Sequence, residues 1–512
     1  MNNSIISYFD KTVQKFPKRI AIMENTDTIT FEELRKKSLR YAEIIGKKND
    51  FRTKDPIAVF LPKSSETVIS NLAIMYTGNV FMNLDILTPI ERIIGIIQKI
   101  KPKLLITNLE LMKKYESNLR ETKILCIEEM REDFSVFDEK KILNSMTQFI
   151  DTDPFCIINT SGSTGIPKGV VLNHKSFVDF LNWAVETFDF AQDTIMGSLS
   201  PCVFDIYVFE LCMMSYQGLC MDLLDANLAI FPIKLINQLV KDRVNFLFWV
   251  PSIMVNIANL NILEVCLPEE LRTIWFAGEV FPTKQFNYWK KHLPKTTFAN
   301  LYGPIEITLD CTYFIVNREF TDKEALPIGY PCNNTDILIL NEKDEICQEK
   351  EVGELCVRGT SLAMGYYNDL EKTKSVFTQN PLNSVYPELI YRTGDMVYTN
   401  ENREIMICGR KDNIIKHMGY RIELGEIEHV LINQLKIVEY CCAVYDHINK
   451  KIVLYYESSE KVNTIIFRKM LAQKLPKYMI PTEYRAMELL PRNINGKIDR
   501  QLLKEMCNEE KQ

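Results

Sequence analysis

The stretch with the clearest chemical potential in this 512-residue sequence is Asn159–Gly169, N-T-S-G-S-T-G-I-P-K-G. It is crowded with glycine and hydroxyl residues and closes on Lys168. Successive backbone N–H groups in such a loop can face a phosphate, hydroxyls add donors, and the lysine adds charge. It is not a Walker loop, because no G-K-[ST] closes it and no helix signal follows at once. A flexible Ser/Gly surface loop would read the same way, and the motif alone does not separate the two. Two further charged residues stand out. Asp205 sits between Phe204 and Phe209 in an apolar segment, F-D-I-Y-V-F-E, where an acidic side chain is out of place. Lys497 follows the turn pair Asn495-Gly496, which taken alone describes a solvated turn lysine.

The elements that must position these residues alternate. Thr30 and Glu33 form a capping box ahead of an amphipathic stretch with Leu34, Tyr41 and Ile45, expected to stop at Gly46. Apolar runs at Ile57–Leu61, Val80–Leu84 and Leu104–Thr107 read as buried strands, separated by helical patterns at 64–76 and Ile90–Ile100. The rhythm resumes at Phe155–Asn159, Val244–Val250 and Thr273–Ala277. Short strands alternating with helices predict parallel sheets covered on both faces. Past residue 333 the texture turns to shorter β-type runs, Ile337–Leu340 and Glu354–Arg358 around the Asn341–Asp344 turn. After Arg410 comes a small unit of about 100 residues, with a helix at Glu426–Leu435, a hairpin of Val438–Tyr445 with Ile452–Tyr456, and a helix at Thr464–Leu475. No Gly/Ser tether precedes it, so a hinge is expected there.

Composition narrows the class. Hydrophobic residues make up 46% and charged residues 25%, as in a globular protein, and the formal net charge of -6 gives no reason to expect a nucleic-acid partner. The 14 cysteines form no C-x-x-C pair and no Cys/His cluster at ligand spacing. With no signal-peptide pattern and no apolar run of roughly 20 residues, a cytoplasmic chain without membrane contact, its cysteines buried and reduced, is expected.

Several segments together resemble the acyl-adenylate-forming superfamily, which includes nonribosomal peptide adenylation domains, acyl-CoA synthetases and luciferases. Ser161–Gly169 resembles its phosphate loop. Tyr302-Gly303-Pro304-Ile305-Glu306 is similar to Y-G-P-T-E, Gly353-Glu354-Leu355 with Gly359 and Gly365-Tyr366 to the next motif, and Tyr391–Asp395 to Y-R-T-G-D. Gly409–Asp412, running to Lys416, Gly419-Tyr420-Arg421 and Glu423, resembles the hinge motif, and Asn495–Arg500 the C-terminal lysine motif. The resemblance implies an α/β fold: a large N-terminal domain, residues 1–411, of parallel-sheet αβα subdomains plus a β-rich subdomain, and a small mobile α+β C-terminal domain, 412–512. It implies use of ATP and Mg²⁺, with a carboxylate attacking the α-phosphorus as pyrophosphate leaves. In that scheme Thr160, Ser161, Gly162, Ser163, Thr164, Gly165 and Lys168 hold phosphate, and Glu306 holds Mg²⁺. Tyr302, beside Gly303, stacks on adenine and Asn300 bonds it; Asp395 takes the ribose hydroxyls with Arg410 nearby. Lys497 bridges the attacking carboxylate and the α-phosphate, joined in catalysis by Glu306, Thr164 and Lys168. The small domain then rotates about Asp412, withdrawing Lys497 and bringing the Gly419 region towards an incoming thiol.

Phe204–Glu210 further resembles the F-D-x-S-V-x-E segment of amino-acid-activating members, in which the aspartate pairs with the substrate ammonium. Asp205 thus implies an amino acid rather than a fatty or aryl acid. The resemblance lines the side-chain pocket with Ile206, Phe209, Phe248, Trp275, Ala277, Leu301, Leu309 and Asp310. These large groups leave room for a small or compact side chain such as proline, while Asp310 could instead face a basic or amide group. Stand-alone D-alanine ligases have a similar architecture but usually carry Cys where this chain has Ala277. Three positions depart from the pattern: Asn159 for an aromatic residue or threonine, Ile305 for the threonine that would approach the α-phosphate, and Asn83-Leu84-Asp85 for P-x-D, a change expected to matter only to packing. With the sequence ending at Gln512, the expected acceptor is a discrete phosphopantetheinyl carrier protein acting in trans. Two competing readings are an acyl-CoA synthetase and a non-catalytic nucleotide-binding descendant; Asp205 opposes the first, and Glu306, Asp395 and Lys497 oppose the second.

Overall fold

The computed structural model describes residues 3–119, 122–132, 138–161, 167–411, 414–458, 464–492 and 498–509. The chain divides into two compact units, and the division falls between Lys411 and Asp412. The second unit also takes in residues 86–100 and 159–168.

The first unit holds two large sheets. In one, nine strands run in the order Tyr330–Pro331, Thr312–Ile315, Thr297–Tyr302, Thr273–Phe276, Phe246–Trp249, Ile195–Ser198, Cys220–Leu223, Ile20–Glu24 and Asp27–Thr30. Its centre is parallel and its edges are antiparallel. The other has seven strands, parallel from Pro154–Thr160 through Val80–Asn83, Pro56–Phe60 and Leu104–Thr107 to Ile124–Cys126. The short apolar runs therefore form the buried parallel strands expected of them. One apolar cluster joins side chains of both sheets with the helices Ile5–Lys15, Ser65–Tyr76, His174–Thr187 and Asp205–Gln217. Ser65–Tyr76 and Asp205–Gln217 are buried on nearly every side, with polar members such as Asn71 and Glu210 buried along with the apolar ones. A third, five-stranded antiparallel sheet contains Thr335–Leu340, Gly353–Gly359, Leu389–Thr399, Phe377–Gln379 and Ile405–Arg410.

The second unit has its own apolar core. Cys441–Asp446 and Lys451–Glu457 form the expected hairpin, and Glu483–Met487 adds a parallel strand that the sequence did not announce. The helix beginning at Leu424 continues from Val430 as a π-turn, and the later one stops at Leu471.

The capping box at Thr30 and Glu33 is formed, but its helix runs on to Lys48 rather than stopping at Gly46. A Cβ at Gly46 would lie 2.7 Å from the Phe51 ring, so this glycine makes room for a neighbour instead of ending the helix. All 14 cysteines are free and 11 are buried, consistent with their reading as small interior hydrophobes. Among the described residues no helix is long and apolar enough to cross a membrane.

Candidate active site

Three strands and one turn bring the motif residues of the first unit together. Asn300 and Tyr302 lie on Thr297–Tyr302, Asp395 on Leu389–Thr399, and Arg410 ends Ile405–Arg410, where it pairs with Asp395 across the sheet. Tyr302 donates its hydroxyl to Asp395 Oδ2 at 2.5 Å, and Arg410 Nη1 reaches Asp395 Oδ1 at 2.6 Å. The Asp395 backbone N–H donates to Thr393 Oγ1 at 3.0 Å, and Arg410 Nη2 donates to the Thr393 carbonyl. Burial, reinforced by the Asp395 charge, pushes the Tyr302 phenol well above its ordinary pKa, so it remains a donor. The expected nearness of Arg410 to Asp395 is thus a direct ion pair. Asn300 is less open than the sequence implied: its Nδ2 donates to the Pro327 carbonyl at 2.7 Å, which fixes the amide orientation.

Directly after Tyr302 the chain turns tightly. A Cβ on Gly303 would sit 2.4 Å from both the Leu309 carbonyl and Asp310 Cα, so only glycine fits this approach. Thr308 and Leu309 have φ of 58° and 76°, the left-handed region that β-branched and bulky residues rarely adopt. This strained turn folds Leu309 and Asp310 back beside Gly303. Within it Glu306 is fully buried and accepts from the Tyr366 hydroxyl at 2.8 Å. Ile305 packs into the main apolar cluster, so its missing hydroxyl is replaced by core contacts.

Most of the residues expected to line the side-chain pocket fall in one apolar cluster. Residues 246, 248, 275, 277, 299 and 301 belong to the apolar cluster on one face of the nine-stranded sheet, while 247, 249, 274, 276 and 298 belong to the cluster on the other. That separation follows from the two-residue period of the strands. Asp205 opens its helix, half-buried, with Oδ1 accepting from the Ile206 N–H at 2.9 Å. Phe209, one turn further on, shares its face. Its ring centroid lies 5.6 Å from Phe248 and 5.2 Å from Trp275, and those two are 5.5 Å apart. Trp183, Phe188, Phe190 and Phe246 back the Trp275 ring. Trp275 Nε1 finds no hydrogen-bond partner among the described residues. Ile206, Ala277, Leu301, Leu309 and Asp310 are buried as well.

Of the phosphate-loop residues, Gly162, Ser163, Thr164 and Gly165 lie outside the described residues, as do Asp412 and Lys497. Lys168 is buried at the head of Lys168–Asn173. Within the second unit Ser161 Oγ donates to the Arg421 carbonyl at 2.6 Å and accepts from the Glu423 N–H at 3.2 Å. Asn159 and Thr160 carry buried polar side-chain atoms without a partner among the described residues, an arrangement that suits a phosphate ligand. Among the described residues no group of three or more His, Cys, Asp or Glu could hold a metal ion. Glu306 nevertheless suits Mg²⁺, which in nucleotide sites usually takes one or two carboxylates and completes its shell with phosphates and water. A depression of about 460 Å³ lined by Asp179, Asn182, Trp183, Glu186, Asn333 and Asn334 shares none of the expected site residues.

Tyr366 and Thr393 were legible only as motif letters; their roles, steadying Glu306 and Asp395, emerge from the hydrogen bonds.

Residues 9–367 match the family model for AMP-binding enzymes. The chain belongs to that family. Tyrocidine synthase 1 of Brevibacillus parabrevis is 30% identical over 509 residues, which cover 98% of this chain and 45% of that protein. Gramicidin S synthase 2 of Brevibacillus brevis is 29% identical over 98% of this chain but only 11% of its own length. This AMP-binding chain therefore spans less than half the length of these curated relatives. A D-alanine--D-alanyl carrier protein ligase of Bacillus cytotoxicus is 29% identical over 98% of both chains. In fold, the chain resembles the Vibrio cholerae adenylation domain AlmE in complex with glycyl-adenosine-5′-phosphate, with a TM-score of 0.84 at 20% identity over 99% and 98% of the two chains.

Proposed function

We propose that the protein activates a small amino acid with ATP and passes the acyl group to the phosphopantetheine thiol of a discrete carrier protein. The observation that carries this reading is Asp205 placed one helical turn from Phe209, whose ring closes against Phe248 and Trp275. A carboxylate at that position matches a substrate ammonium, and the aromatic floor excludes long side chains. Glycine, alanine and proline fit this description and a large aromatic side chain does not; the buried Asp310 keeps a basic or amide side chain as the alternative. The full-length similarity to a D-alanine--D-alanyl carrier protein ligase supports an amino-acid substrate and a carrier acceptor.

In this reading, residues 1–411 are the adenylation core and 412–512 the lid, with Asp412 as hinge. The substrate carboxylate attacks the α-phosphorus, the bond to the bridging oxygen breaks, and pyrophosphate leaves. Tyr302, Asn300, Asp395 and Arg410 hold the nucleoside, while Thr160, Ser161, Gly162, Ser163, Thr164, Gly165 and Lys168 hold phosphate. Glu306 would ligate Mg²⁺, which neutralises phosphate charge when bound. Lys497 stabilises the charge developing between carboxylate and α-phosphate. The carrier sulfur then attacks the acyl carbonyl and AMP leaves.

Amino-acid-dependent ATP–pyrophosphate exchange tests the reading. Exchange with glycine, alanine or proline that is lost in Lys497→Ala supports it. Exchange with aryl or fatty acids instead would move the chain to the acyl-CoA synthetase class.

A further inference from the structure

The loop that delivers Asp205 is held from the seven-stranded sheet by two side chains that the reaction above does not use. Ser198 ends its strand in the nine-stranded sheet, and residues 199–204 connect it to the helix that Asp205 begins. Asn83, at the end of Val80–Asn83, is buried and donates Nδ2 to the Cys202 carbonyl at 2.8 Å. Lys63, three residues past Pro56–Phe60, donates Nζ to the Ser198 carbonyl at 2.5 Å. A third tie follows within the first helical turn, where Asn71 Nδ2 donates to the Tyr207 hydroxyl at 3.1 Å.

The Ser198 side chain is tied as well. Ser198 Oγ donates to Glu210 Oε2 at 2.5 Å, and Glu210 is buried on the helix that Asp205 opens. Burial pulls the Lys63 ammonium down and pushes the Glu210 carboxyl up, while each attracts the other back towards its charged form. Asn83 is the more telling member. It stands where the resemblance implies the proline of P-x-D, and a proline has no side-chain donor to offer the Cys202 carbonyl. The departure that sequence reading assigned to packing makes a bond to the loop that carries the proposed substrate anchor.

We propose that Asn83 and Lys63 are positioning residues that hold the 199–204 loop and so set where the Asp205 carboxylate meets its substrate. The role of Asp205 rests on the function proposed above; the clamp on the loop does not. Neither residue takes part in the Tyr302–Asp395–Arg410 network, so loosening the clamp weakens amino-acid binding and spares ATP binding.

The experiment uses the full chain with Asn83→Leu, which keeps the bulk and removes the donor, alongside Lys63→Met and Lys63→Arg. Hydrogen exchange on the substrate-free protein comes first. In Asn83→Leu the amides of 199–206 should exchange about tenfold faster, as expected for one lost hydrogen bond, with 297–302 and 389–399 unchanged. In pyrophosphate exchange KM for the amino acid should rise about tenfold with KM for ATP unchanged. Lys63→Arg, which keeps charge and donor, should recover most of what Lys63→Met loses. Unaltered exchange at 199–206 in Asn83→Leu, or a parallel rise in both KM values, overturns the proposal. If Lys63→Met does not fold, Asn83→Leu decides alone. If the wild type shows no amino-acid-dependent exchange, the proposed function fails, and hydrogen exchange still decides the clamp.

Discussion

Two parts of the first unit carry its chemistry in opposite ways. Around Tyr302, Asp395 and Arg410 the side chains are polar and each meets a named partner at 2.5–2.6 Å. Around Phe209, Phe248 and Trp275 the side chains are apolar and pack ring against ring, with centroids 5.2–5.6 Å apart. Under the proposed function the first would work by directed bonds, which suit a constant group such as a nucleoside. The second would work by exclusion, which suits a variable group such as a side chain. Damage to either should therefore appear in a different measurement.

The largest effect is expected from Phe209→Ala. Emptying this fully buried site should destabilise the fold by about 3–5 kcal/mol, read as a lower denaturation midpoint. Any protein that remains folded should accept larger amino acids in pyrophosphate exchange, with KM for ATP unchanged. A rise in KM for ATP would show that the two regions are not separable.

Acid should attack the apolar interior through His174. Its ring is buried, stacks 4.9 Å from Phe155 and accepts from the Ile5 N–H, and burial lowers its pKa to about 3. Because the folded pKa lies below the unfolded value near 6.5, its neutral form stabilises the fold above about pH 6.5, and that contribution is lost as pH falls towards 3. Between pH 6.5 and 4.5 the loss should reach about 2–3 kcal/mol. A thermal-midpoint series against pH should slope less steeply over that range in His174→Phe than in the wild type.

Tyr302→Phe attacks the polar region alone. Losing the bond to Asp395 should raise KM for ATP by about fivefold, near 1 kcal/mol, and leave the order of preferred amino acids intact. The smallest effect belongs to Trp275→Phe. That change loses apolar area but also removes a buried donor without a partner among the described residues, so the thermal midpoint should move little. A loss of several kcal/mol would mean that the indole nitrogen is hydrogen-bonded in the folded protein.

The same contrast explains what the sequence disclosed. Short apolar runs such as Val80–Asn83 and Leu104–Thr107 were legible because parallel strands are buried on both faces. The capping box at Thr30 was legible because its chemistry is local, whereas the role of Gly46 was not, since it depends on where Phe51 folds. Glu483–Met487 was missed because its strand identity comes from pairing with Lys451–Glu457 and not from its own pattern. In the site, Tyr302, Asp395 and Arg410 could be named from motifs, but their mutual bonds join residues up to 93 positions apart, which no local pattern encodes. The tie from Asn83 to Cys202 was hidden for the same reason: it spans 119 residues and two sheets.

Pyrophosphate exchange across matched pairs tests the central claim most directly, setting glycine, alanine and proline against the same acids without their amino group, and against phenylalanine and lysine. Exchange confined to the small amino acids, and reduced by roughly 30- to 100-fold in Asp205→Asn, is the predicted result. Equal exchange with the deaminated acids, or undiminished exchange in Asp205→Asn, would contradict it.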